Sequence, residues 1–172
     1  MSAEASKALK VITGVSRFQA TSERYSVARA AAGLVEAFPV PVGNQTICTV
    51  FTARGTPRFE LRVTWDLQDG PPTAKPAREY TVLKMGEKTL VAHNKANVFF
   101  ACRSEQLSNS SRLAHVVVRV EHWAIPSDPG DYADTLRDAY ATVAHSFSLA
   151  MAKELRCEKN GGLPERPVLE PA

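Results

Sequence analysis

From Phe59 to Leu67 the chain alternates without a break: Phe59, Leu61, Val63, Trp65 and Leu67 are apolar, while Glu60, Arg62, Thr64 and Asp66 are polar. Successive side chains of a strand point to opposite faces, so this pattern describes a strand with one face on a core and the other in water. A half-buried strand has to be paired and covered, and the flanking sequence offers both. Ile47-Cys48-Thr49-Val50-Phe51-Thr52 is rich in β-branched and aromatic residues and is bounded by Gly43 and Gly55. Tyr80 to Met85 and Lys88 to Ala92 flank Gly86-Glu87 as a hairpin, and Val98 to Arg103 and His115 to Trp123 read as two further strands. Gly70-Pro71-Pro72-Thr73-Ala74-Lys75-Pro76 is a loop that no sheet absorbs.

Helical periodicity brackets these strands. Tyr132, Leu136, Ala139, Tyr140, Val143, Phe147, Ala150, Met151 and Leu155 form one apolar stripe and predict a long C-terminal helix. Asp128-Pro129-Gly130-Asp131 is its entry, Lys153 and Arg156 lie near its far end, and Asn160-Gly161-Gly162 stops it. Val27, Ala31, Leu34 and Phe38 predict a helix over residues 23–37, with Ser22 as N-cap and Pro39 and Pro41 ending it. Ala5, Leu9, Ile12 and Val15 predict a short helix within the first twenty residues. Helix first, strands in a row and helix last predicts an α+β fold. The expected architecture is an antiparallel sheet of five to six strands, with the N-terminal helix and the long C-terminal helix packed on one face. Residues 1–162 read as a single domain, and 163–172, which contain Pro164, Pro167 and Pro171, as a Pro-rich flexible tail.

At 172 residues, with 44% hydrophobic and 23% charged residues, the chain is long enough to bury one core without staples. Its formal charge of +3 is mild and diffuse, which argues against a nucleic-acid partner, for which a clustered basic stripe is expected. No apolar run is long enough to span a membrane.

Three cysteines stand at positions 48, 102 and 157, and their spacing matches no zinc or redox motif. Three buried thiols acting as small hydrophobes is one reading. The other is a secreted protein with one disulfide and an odd cysteine. Met1-Ser2-Ala3-Glu4 is not a signal peptide and looks like an initiator methionine on a trimmed mature sequence, whose precursor had room for a fourth cysteine. Of the pairings, Cys102 with Cys157 is preferred over Cys48 with Cys102, because it ties the last helix to the sheet.

The ending Leu149 to Leu169, in which the helix runs into Arg156-Cys157-Glu158-Lys159-Asn160-Gly161-Gly162-Leu163-Pro164, resembles the C-terminus of secreted or lipid-anchored proteins of Streptomyces and related actinobacteria. Leu34-Val35-Glu36-Ala37-Phe38, Ile47 to Thr52 and the Ala/Arg/Val bias are similar to theirs as well. The resemblance covers about a third of the chain, and its motifs are structural rather than catalytic. It implies an extracytoplasmic place on the outer face of the cell membrane, through a lipid anchor that this chain does not carry.

No constellation rises to a catalytic or metal site. His93, His115, His122 and His145 form no HxH, HxxxH or HExxH pattern, and the odd spacing of His115 and His122 puts them on opposite faces of one strand. His145 beside the apolar stripe reads as a surface or boundary residue. GxSxG and phosphate-cradling glycine motifs are absent, and Asp128, Asp131 and Asp134 read as helix-entry residues rather than calcium ligands. No cofactor is implied.

Two functional classes remain ahead of an enzyme not evident from sequence. The first is a non-catalytic interaction module that offers the loops 69–78 and 104–112 and the Pro-rich tail to another envelope protein. The second is a small-molecule binder with a pocket between sheet and C-terminal helix, walled by Trp65, Trp123, Tyr132 and Tyr140.

Overall fold

The computed structural model describes residues 2–20, 25–52, 60–108, 111–122 and 129–172. Helix α1 (Ala3–Thr13) begins where the Ser2 hydroxyl accepts the Ala5 N–H and ends at Gly14, whose φ of 69° returns its N–H to the Lys10 carbonyl. Helix α2 (Val27–Ala37) starts later than its periodicity suggested. Its cap is Ser26, which accepts the Arg29 N–H at 3.2 Å, while Ser22 lies outside the described residues. Helix α3 (Ala133–Glu154) is entered through a single tight turn, Gly130–Tyr132. Asp134 sits in its first turn, where the helix dipole favours a carboxylate, and accepts a 2.9 Å bond from Arg137; Asp128 lies outside the described residues.

Seven strands form one antiparallel sheet: β1 (Phe18–Ala20), β2 (Val42–Thr52), β3 (Glu60–Gln68), β4 (Thr81–Leu83), β5 (Lys88–Ala92), β6 (Lys95–Cys102) and β7 (Ala114–His122). Their order is β1-β2-β3-β7-β6-β5-β4. The α+β class and the antiparallel sheet are as the periodicities predict. The additional strand is Phe18–Ala20, only three residues long and too short to leave an alternating signature.

The sheet buries Leu61, Val63, Trp65 and Leu67 of β3 beside Val116, Val118 and Val120 of β7. Helix α3 lies over β5, β6 and β7, α2 spans from α3 to β2, and α1 packs on α3, so all three helices occupy one side. Cys102 at the end of β6 is bridged to Cys157 just beyond α3, with Cα atoms 4.9 Å apart, and Cys48 is a free, buried thiol.

Residues 163–172 correct the expectation of a flexible tail. Leu163 is buried, Val168 and Leu169 pack against the core, and the Val168 N–H donates to the Met85 sulfur. Pro171 bridges to Leu83, and the Ala172 N–H donates to the Val82 carbonyl at 2.9 Å. Proline content bars helix and central strand, but it does not stop an extended segment from covering an edge strand that would otherwise present unpaired backbone.

Two glycines make the docking possible. Gly86 has φ +61°, and a Cβ there would stand 2.2 Å from the Phe99 carbonyl oxygen. Gly161, at φ +66°, lies so close to Phe100 and the Ala101 carbonyl that a Cβ would approach them to 2.8 and 3.0 Å.

Candidate functional site

The strand register sorts the sheet into two faces. Away from the helices point Arg62, Thr64 and Asp66 of β3, His115, Arg119 and Glu121 of β7, and Lys95, Asn97 and Phe99 of β6. This open face is not a loose solvated surface. Phe99, Val117 and Ala92 are nearly buried on it, with charged pairs above and around them.

Asp66 is the centre of the face. Alternation placed it in water, yet it is only 8% exposed. One carboxylate oxygen accepts Arg119 Nε at 2.8 Å and Nη2 at 2.5 Å, and the other accepts the Asn44 N–H at 2.9 Å. That N–H is aimed by a register shift in β2 between Val42 and Gln45, where Asn44 adopts φ 55°. A buried carboxylate is tolerated only when its oxygens are bonded in this way.

The neighbouring pairs are similar in kind. His115 Nδ1 lies 2.9 Å from Glu87, and Arg62 bonds Glu60 at 2.7 Å. Lys95 reaches Glu79 at 3.1 Å and stands 4.8 Å over the Tyr80 ring. Partial burial pulls the Lys95 ammonium down, and hydrogen bonds to Tyr80 and Glu79 outweigh that and hold its pKa above the ordinary lysine value. Lys88 donates to the carbonyls of Pro72 and Ala74, at 3.3 Å each, which fastens the Pro-rich loop beside this face.

The ligand wall read from the sequence is not assembled. Trp65 and Tyr140 are core residues, with the Trp65 indole packed under Gly33, and they fill the space between sheet and helices rather than lining it. Tyr132 is 72% exposed at the start of α3, and Trp123 lies outside the described residues. Of the two loops, 104–108 is drawn in: the Ser104 hydroxyl donates to the Leu155 carbonyl and Leu107 is buried.

Histidine placement is mixed. His115 and His122 do fall on opposite faces of β7. His145 is not a boundary residue: it is 3% exposed, with Nε2 2.7 Å from the Pro164 carbonyl oxygen. Desolvation pushes the Cys48 thiol up to about 11, the opposite of an activated nucleophile. Among the described residues no three His, Cys, Asp or Glu side chains gather as a metal site.

No family model, curated protein or solved structure matches the chain. Its own residues carry the functional reading. The disulfide is compatible with an oxidising, extracellular location, and among the described residues no helix is long and apolar enough to cross a membrane.

The Asp66–Arg119 pair was missed because alternation assigns every second side chain to water regardless of what its neighbours do there. One signal was present. Aspartate is depleted in strands, so an aspartate between Trp65 and Leu67 asks for a partner.

Proposed function

We propose that this chain is an extracytoplasmic, lipoprotein-type domain of an actinobacterial cell envelope that works as a non-catalytic interaction module. The observation that carries this reading is the open sheet face, where charges of both signs are held in fixed positions over a nearly buried floor. Such a face suits another envelope protein with a complementary polar surface, because prearranged charges give specificity and register at little ordering cost. The Cys102–Cys157 bridge supports the oxidising compartment, and the similarity to secreted and lipid-anchored actinobacterial proteins supports the envelope. Trp65, Phe100, Tyr140 and Met151 are buried in the core between sheet and helices, which favours the open sheet face over a pocket there.

The test is a photo-crosslinker at Asn97, in the middle of the open face, in cells of the source organism. A discrete adduct with one envelope protein is expected. It should disappear when Lys95 and Glu121, cross-strand neighbours on that face, are exchanged in charge (K95E/E121K) in a variant that still melts as the parent does. An adduct that survives the exchange, or a face that crosslinks to nothing, would sink the reading.

A further inference from the structure

A second surface, on the helical side, has a different chemistry. Helix α1 presents Glu4, Lys7, Ala8 and Val11, and α3 presents Thr135, Asp138, Ala139 and Thr142, at spacings that put each set on one helix face. With the docked C-terminal segment as third wall, these helices flank a shallow, open groove of about 430 Å³. Its surface is mainly apolar, supplied by Ala8, Val11, Ala139, Pro167 and Leu169, with Thr135 and Thr142 among them. Val11 stands 46% exposed in it, an apolar side chain that an occupant would cover.

The rim is charged and unevenly satisfied. Asp138 is already taken by Arg137, through bonds of 2.9 and 2.7 Å. Lys7 and Arg166 have no carboxylate partner among the described residues. Glu4 lies one turn nearer the start of α1 and is the acidic residue of the rim left without an ion pair. Two walls are helices, whose backbone groups are bonded internally, and Pro167 has no N–H, so the groove offers little to an extended peptide.

We propose that this groove binds one free, single-chain anionic amphiphile. The acyl chain would lie on Ala8, Val11, Ala139 and Leu169, and the acidic headgroup would meet Lys7 and Arg166. Three walls outline a groove rather than a flat apolar surface, and of the exposed large hydrophobics among the described residues only Val11 lines it, which favours a free ligand over a membrane.

The experiment is calorimetric titration of the intact chain with dodecanoate and with dodecanol, both kept below micelle-forming concentration. Dodecanoate should bind at one site and dodecanol at least about tenfold more weakly. Val11→Glu should abolish binding, and K7E/R166E should weaken dodecanoate by about tenfold while leaving dodecanol unchanged. Val11, Lys7 and Arg166 are all exposed, so these variants should keep the parent's melting transition, which is measured in parallel. Equal binding of acid and alcohol, binding that ignores Val11→Glu, absence of dodecanoate binding, or preferential capture by anionic vesicles would overturn the proposal. None of these results depends on a protein partner at the open sheet face.

Discussion

His145 Nε2 lies 2.7 Å from the carbonyl oxygen of Pro164, and this bond fastens the C-terminal segment to α3. Around it, Glu165 accepts from Lys153 at 2.9 Å and from Asn160 at 3.0 Å, so buried and exposed contacts together hold the chain end down.

The first prediction follows from the titration of that histidine. Burial holds the His145 pKa below its ordinary value, and the bond to Pro164 and the nearby Glu165 and Glu4 only partly offset this; burial lowers His122 as well. An unfolded chain therefore takes up protons near pH 6.5 that the folded chain refuses, so stability falls as pH drops through 6.5 toward the folded values. Each such group steepens the dependence by at most about 1.4 kcal/mol per pH unit. Glu165, held low by Lys153, acts in a separate window below the ordinary glutamate range. Urea midpoints between pH 7.5 and 5.5 should fall less for His145→Gln, which keeps a donor for Pro164, than for the parent. Identical slopes would remove His145 from the account.

Thiol chemistry gives the second prediction. In the native protein Cys48 is buried and its pKa is raised, so alkylation at neutral pH should label nothing. Unfolding without reductant should release one reactive thiol, and unfolding with reductant three. The bridge spans 55 residues, so its loss in C102A/C157A should lower unfolding stability by about 4 kcal/mol on the chain-entropy account. Three thiols labelled without reductant, in protein taken from an oxidising compartment, would contradict the pairing.

Glycine substitutions test the docking of turn and tail. Gly86→Ala and Gly161→Ala each place a Cβ against β6 backbone or Phe100 at positive φ, and each should cost about 2–4 kcal/mol by chemical denaturation. Gly70, with nothing within 4 Å and no positive φ, is the control and should change by less than about 0.5 kcal/mol. Equal effects at all three positions would mean that the close approach at Gly86 and Gly161 is unimportant.

The Asp66–Arg119 pair predicts an asymmetric mutant cycle. Arg119→Met strands a buried carboxylate on the Asn44 N–H alone and should cost about 2–4 kcal/mol. Asp66→Ala leaves a guanidinium that is 31% exposed and can reach water, so about 1–2 kcal/mol is expected. The double variant should recover at least about 1 kcal/mol relative to the sum. Additive losses would show that the pair is not coupled.

Much of the scaffold was legible because periodicity is a local property. The alternation at Phe59–Leu67 announced β3, and the stripe from Tyr132 to Leu155 announced α3 within a residue at either end. Helix α2 was placed less well, because Ser22 and Ser26 are both acceptable caps by type and only the bond to Arg29 shows which one serves. The pairing on the open face was legible only as an aspartate in a strand that asks for a partner: Asp66, Arg119, His115 and Glu87 come from three separate segments, and nothing in their spacing brings them together.

The sequence by itself determined the α+β class, the place of α3 and of six of the seven strands, and it favoured Cys102 with Cys157 over the other pairing. These depend on the side-chain period along one segment, or on which two elements a bridge would join. The tertiary structure alone decided that Trp65 and Tyr140 pack the core instead of walling a pocket, and that the Pro-rich end is docked. It also made Asp66 a buried, paired charge rather than a solvated one. The physical reason is common to all three. Burial and pairing depend on what arrives across the sheet or over the edge strand, and composition or period in one segment does not encode its neighbours.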